Sequence, residues 1–154
     1  LFIMGNITNK FGQYITSTYN HPQIKFSNAV YDQTELDNLR YYSSLYFHGH
    51  SVGGTNPSLL EAMACSCRIA AHNNKFNKAI LQEEAHYFPN AAEVAGIINM
   101  PGDLSTISDW KKLNLEKIRT IYSKEKIIND YESLMMRACR QTNLIIQPSV
   151  AEAV

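Results

Sequence analysis

Most side chains able to do chemistry in this sequence fall in one stretch, His48-Gly49-His50-Ser51-Val52-Gly53-Gly54-Thr55-Asn56-Pro57-Ser58-Leu59-Leu60-Glu61. Gly53 and Gly54 remove side chains from a turn, so the backbone can lie directly against a ligand. Asn56-Pro57 reads as a helix start: Asn is a good N-cap, and Pro fits the first helical position, where its missing N–H would be unpaired anyway. The first-turn N–H groups of such a helix, with the dipole behind them, suit an anion such as a phosphate. Asn56 and Ser58 add polar groups at the same rim, with Thr55 beside them. Glu61 lies four residues beyond Pro57, on the same helix face and one turn along. A carboxylate there can accept hydrogen bonds from two vicinal hydroxyls, as a ribose presents them. Phosphate at the tip and ribose one turn in is the arrangement of a bound nucleotide. Read without a ligand, the same residues are a capped helix start after a glycine turn.

His48 and His50 flank Gly49 beside this turn. His50 is placed to hydrogen-bond a diphosphate or to help a leaving group depart. His48, at a strand end, reads as a structural histidine with its hydrogen bonds satisfied. No metal is expected, because no Cys, Asp or Glu at useful spacing completes a ligand set with the two histidines. Asn73-Asn74-Lys75-Phe76-Asn77 makes a second polar cluster, where Lys75 would offset donor charge and the Asn groups either reach a ligand or form a turn. Cys65 and Cys67, spaced Cys-x-Cys, read as small packed hydrophobes. Arg40-Tyr41-Tyr42, within a chain of nine tyrosines, has the look of a base-stacking surface, yet without a basic groove it reads as core and rim. Glu83-Glu84 reads as a solvated face. Neither a Walker phosphate loop nor a dinucleotide glycine fingerprint is present.

The elements that would position these residues alternate in type. Leu1–Met4, Ile24–Phe26, Leu45–His48 and Arg68–Ala71 read as short apolar strands. Between and after them, Asn9–Tyr19, Gln33–Tyr42 (capped by Thr34), the segment from Asn56 to Ala64, Lys75–Leu81, Ala91–Ile98, Leu113–Tyr122 and Glu125–Arg140 read as helices. Short strands separated by helices predict a parallel sheet with helices on both faces, an α/β Rossmann-like fold. Ligands bind such sheets at the carboxyl ends of the strands, which puts the segments after Met4, His48 and Ala71 at that edge. One domain over residues 1–140 is expected, with a frayed tail over 141–154.

Composition limits the partners. The chain has 154 residues, 45% of them hydrophobic and 18% charged, which is a globular balance. Fourteen basic residues against fourteen acidic ones, with no basic block, argue against nucleic acid and against polybasic membrane anchoring. No apolar run approaches the ~20 residues needed to cross a bilayer. A cytoplasmic protein is expected. Because the chain opens inside an apolar strand without Met, a fragment of a longer chain is expected as well.

The run from His48 through Glu61 to Ala62-Met63-Ala64 closely resembles the donor-site segment of the group 1 (family 4) GT-B glycosyltransferases, most of all a bacterial rhamnosyltransferase-like branch. Ala71-His72-Asn73-Asn74-Lys75-Phe76-Asn77-Lys78-Ala79-Ile80-Leu81 is similar to that branch's next strand, loop and helix, and Tyr122–Tyr131 resembles its terminal helix. The resemblance implies the C-terminal, nucleotide-sugar-binding half of a two-domain enzyme that builds polysaccharide. Such an enzyme moves a hexosyl or deoxyhexosyl group from a nucleoside-diphosphate sugar to a glycan or lipid-linked acceptor.

By this resemblance Glu61 is the second acid of the family's Glu-x7-Glu motif and holds the donor ribose. The backbone of Gly54, Thr55 and the Asn56-Pro57-Ser58 turn lies against diphosphate or sugar, and the catalytic part given to His50 rests on its position beside the turn alone. No cofactor or metal is implied beyond the donor itself. The acceptor domain would lie elsewhere in the longer chain, which would work in the cytoplasm or against the inner face of the plasma membrane. This piece alone would be inactive. Gly53 stands where the family carries its first Glu, the one that contacts the transferred sugar. That departure leaves room for a non-catalytic domain of the same fold, or for a related phosphorylase or epimerase.

Overall fold

Strands and helices alternate as far as α5 in the computed structural model, which describes residues 1–100 and 102–145. The order is β1 (Phe2–Met4), α1 (Lys10–Thr18), β2 (Lys25–Ser27), α2 (Gln33–Tyr41), β3 (Tyr46–His48), α3 (Pro57–Ala64), β4 (Ile69–His72), α4 (Lys75–Leu81), β5 (His86–Phe88), α5 (Ala91–Asn99), α6 (Leu104–Thr120) and α7 (Lys124–Ile145). Every strand pair is parallel, and the fold is a Rossmann-like α/β arrangement. Of the expected tail, residues 141–145 continue α7, and residues 146–154 lie outside the described residues.

Six of the helices start on an Asn or Asp whose side chain accepts from first-turn N–H groups: Asn9, Asp32, Asn56, Asn74, Asn90 and Asp103. Ser123 Oγ accepts from Lys126 N–H at 3.2 Å and does the same for α7. At α2 the cap is Asp32, bonded to Glu35 N–H at 2.8 Å, and Thr34 lies inside the helix rather than at its start. The carboxylate takes the position because it can reach the third helical N–H with charge as well as geometry. α6 begins nine residues before its expected start at Leu113, at the Asp103 cap; its first turns are too polar to show helical periodicity.

The sheet is in two pieces rather than one. β1 pairs with β2 alone, and β3-β4-β5 form a separate set. Strands three residues long carry few bonding groups. In β1 the ladder to β2 uses Leu1 C=O and Gly5 N–H, so the peptide groups of Phe2 and Met4 point to the other, unpaired edge. Likewise Tyr46 N–H bonds Arg68 C=O, so Phe47 points away from β4. β5 had no sequence signature, because His86-Tyr87-Phe88 is one apolar residue short of an alternation.

β4 is the centre of the molecule, with Ile69, Ala70 and Ala71 all buried. One face packs Ile69 and Ala71 against Leu59, Ala62 and Met63 of α3 and Ile80 and Leu81 of α4, with Ile118 of α6 alongside. The opposite face packs Ala70 and Phe88 against Ile97 and Val94 of α5, with Leu45 and Phe47. Helices therefore cover both faces of this sheet. Across residues 1–47, by contrast, the single fully buried residue is Gly12. A side chain there would collide with the Asn6 carbonyl, so α1 sits directly on the turn before it. α6 is fixed to the α4–β5 turn by Lys117, whose ammonium meets Glu84 Oε2 at 2.5 Å and Leu81 C=O at 2.8 Å. Glu84 is thus a half-buried ion-pair partner rather than part of a solvated face, while Glu83 beside it is exposed.

Candidate functional site

β3 delivers His48 to the carboxyl edge of the sheet, and the chain then runs through residues 49–55 to the Asn56 cap of α3. The Asn56 side chain accepts from Ser58 N–H at 3.0 Å and from Ser58 Oγ at 2.8 Å. The Asn56 carbonyl takes Leu59 N–H at 3.0 Å, and Pro57 has none to give. The first turn of α3 is therefore already satisfied, contrary to the expectation that its own N–H groups are free for an anion. The free donors lie one step earlier. None of the backbone N–H groups of residues 52–56 has a partner among the described residues. Gly53 has φ +110°, a conformation costly for any side-chain-bearing residue, and nothing approaches within 4 Å of where its Cβ would be. Gly54 is equally open. Unpartnered N–H groups at a left-handed glycine, ahead of a helix dipole, are donors of the kind that anions take in folded chains.

The loop is held at one end. His50 C=O accepts from Asn74 Nδ2 at 2.9 Å and from Asn77 Nδ2 at 3.2 Å. Asn74 also caps α4 through Phe76 N–H and Asn77 N–H, both at 2.9 Å, and the buried Asn77 bonds His72 C=O at 2.9 Å. The two polar clusters of the sequence are therefore one assembly at one edge. The Asn74 and Asn77 side chains are spent on holding the loop and are not presented to a ligand, while Asn73 is exposed. Lys75 stands at the same rim, exposed, with its ammonium 5.1 Å from the Phe76 ring centroid.

His48 departs from the sequence reading. It is 1% exposed, yet neither ring nitrogen has a hydrogen-bond partner. Its ring stacks on Tyr46 at 6.4 Å and under the exposed His50 at 4.7 Å. Tyr46 Oη reaches Ser58 C=O at 3.4 Å, which puts this histidine stack on the α3 face. Burial, with His50 beside it, pushes the His48 pKa down to about 4, so the ring is neutral at pH 7. A buried imidazole with both nitrogens unpaired is an uncommon arrangement in a folded chain.

Glu61 lies one turn into α3, and its carboxylate is turned toward α2. Arg40 Nη2 meets Glu61 Oε2 at 2.5 Å, and Arg40 Nη1 meets Asp37 Oδ1 at 3.2 Å. The structure thus brings His50, Gly53, Gly54, Thr55, Asn56, Pro57, Ser58 and Lys75 to one edge, and it ties Glu61 to a residue the sequence reading left with the tyrosines. Arg40 was legible only as a charge four residues after Leu36 on an amphipathic helix, with nothing local to name its partner 21 residues away. Among the described residues, no three His, Cys, Asp or Glu gather into a metal-binding group, and no helix is long and apolar enough to cross a membrane. No model of a known protein family matches the chain, and no curated protein matches it.

Proposed function

We propose that the chain is the donor-binding part of a glycosyltransferase that moves a sugar from a nucleoside-diphosphate sugar to a glycan or lipid-linked acceptor. The observation that carries this reading is the run of unpartnered N–H groups over residues 52–56 at the head of α3, with an accessible carboxylate one turn along. In this reading the loop amides hold the diphosphate and Glu61 takes the ribose. Lys75 contributes positive charge at the rim. The likeness of the segment from His48 to Ala64 to the family 4 donor site supports the same assignment.

In the transfer, the bond between the anomeric carbon and the diphosphate oxygen breaks, and its electron pair leaves with the diphosphate. The acceptor hydroxyl forms the new bond, and its proton passes to the departing diphosphate. Fixed amides aimed at the departing charge do the work a metal does elsewhere, because they need no reorganisation at the moment of reaction. His50, exposed over the neutral His48, is the group positioned to share a proton with the leaving phosphate. The acceptor would be presented by a further domain.

Gly53 favours a second reading, a domain of this fold that binds nucleotide without transferring sugar, since no side chain stands where the family has its sugar-contacting Glu. Phosphorolysis or epimerisation by the intact protein, with no glycosyl product, would move the same site to a related reaction. The deciding measurement is calorimetric titration of UDP, dTDP and GDP into the protein and into Glu61→Ala and Glu61→Gln. One nucleotide is expected to bind at about millimolar affinity or tighter, weakened about tenfold or more in Glu61→Ala. Binding by none of the three would sink the reading.

A further inference from the structure

We infer that Arg40 positions Glu61 so that a single carboxylate oxygen, Oε1, faces the ligand and reads one hydroxyl of the ribose rather than both equally. The inference rests on the donor-site reading above. Oε2 is committed to Arg40 at 2.5 Å, a charge-assisted bond between side chains 11% and 39% exposed. Oε1 has no partner among the described residues, and the exposed part of the side chain leaves it open to a ligand.

Arg40 is itself immobilised. Asp37 Oδ1 takes its second terminal nitrogen at 3.2 Å, and its carbonyl accepts from Ser43 Oγ at 2.7 Å and from Cys67 Sγ at 3.2 Å. Cys65 Sγ reaches Asp37 Oδ1 at 3.5 Å, so the same corner is bound to the end of α3 by two contacts besides the ion pair. The backbone of Arg40 is thus held by Ser43 and Cys67 and its guanidinium by Asp37, and a planar fork tied at its other terminal nitrogen sets the rotation of the carboxylate it holds. Both hydroxyls of a vicinal pair prefer a carboxylate with two free oxygens. With one oxygen committed, they become unequal.

The test is affinity for UDP and GDP and for the 2′-deoxy and 3′-deoxy forms of each, measured with the wild-type chain, Arg40→Met, Arg40→Lys and Asp37→Asn. For the wild type, loss of one hydroxyl is expected to cost about tenfold or more and loss of the other about twofold or less. Arg40→Met keeps the apolar stem, frees Oε2 and is expected to level the two losses; Arg40→Lys, with a single compact charge, falls between. Asp37→Asn keeps a side-chain oxygen to accept from Arg40 Nη1 and alters nothing in contact with Glu61, so it is expected to keep the wild-type ratio. Equal losses in the wild type overturn the inference. So does an unchanged ratio in Arg40→Met, even if that variant is less stable, because a purely structural tie moves melting temperature and not discrimination. If Arg40→Met does not fold, an unchanged ratio in Arg40→Lys has the same force. If the wild type binds none of UDP, GDP and dTDP, the donor-site reading fails first and takes this inference with it; binding of dTDP alone, whose sugar has no 2′-hydroxyl, overturns this inference and leaves the donor-site reading standing.

Discussion

Both ring nitrogens of His48 sit in the interior without a partner, and this has a measurable acid consequence. The folded pKa is about 4 against an ordinary value of 6.5, so the unfolded chain binds the proton first. Stability attributable to this ring is therefore present above about pH 6.5 and is lost as pH falls toward about 4, by at most about 3 kcal/mol. His86, lowered by burial and by Arg68, acts with the same sign. Replacing His48 by Phe is expected to flatten the dependence of urea midpoint on pH across that window. A wild-type slope retained by the variant would mean that other groups carry it. The sequence showed that His48 ends a strand; whether its nitrogens found partners depends on what the chain folds over it, which no local pattern encodes. Glu61 shows the same division. Its place on the helix follows from Asn56-Pro57, whereas its commitment to Arg40 follows from how α2 packs on α3.

At the scale of the element, boundaries were legible wherever an Asn or Asp cap stood before an apolar period. α3 and α4 lie where Asn56-Pro57 and Asn74 put them. The Thr34 expectation failed because two acceptors compete near one helix start and sequence spacing does not rank them. Exchange of Asp32 for Ala is expected to lower stability by about 1 kcal/mol, and exchange of Thr34 for Ala by less than about 0.5 kcal/mol. Chemical denaturation of the two variants measures both, and the reverse ranking would return the cap to Thr34. Asn77 is an element-scale device as well: from inside α4 it grips the loop at His50 and the strand end at His72. Asn77→Ala leaves those carbonyls short of a donor. It is expected to weaken nucleotide binding together with stability, seen as a fall in affinity beyond that of a surface variant.

For the whole molecule, the alternation of strands and helices gave the fold class directly, and it could not say that the strands would pair as two sets. Pairing is a long-range choice, and three-residue strands leave little margin for it. Large apolar side chains stay at the surface in two stretches: Leu1, Phe2, Phe11 and Tyr14 are 49–70% exposed, and Ile128, Leu134 and Met135 of α7 are also half-exposed or more. Such patches seek partners. Sedimentation of the 154-residue chain is expected to show mass rising with concentration, and a clean monomer at high concentration would count against this. The amides of Phe2, Met4 and Phe47 are expected to exchange with solvent well before those of Ala70 and Ala71.

The scarcity of buried side chains before residue 48 has a further consequence, for binding rather than for shape. Arg40 and Asp37 belong to that thinly packed half, whereas Glu61, on α3, belongs to the dense one. A ligand that needs Glu61 held still must keep the softer half closed against the firmer, so part of its binding energy goes into suppressing local opening. Affinity should then fall with warming faster than the contacts alone would dictate, and saturating nucleotide should protect the first forty-odd residues from protease although it touches almost none of them.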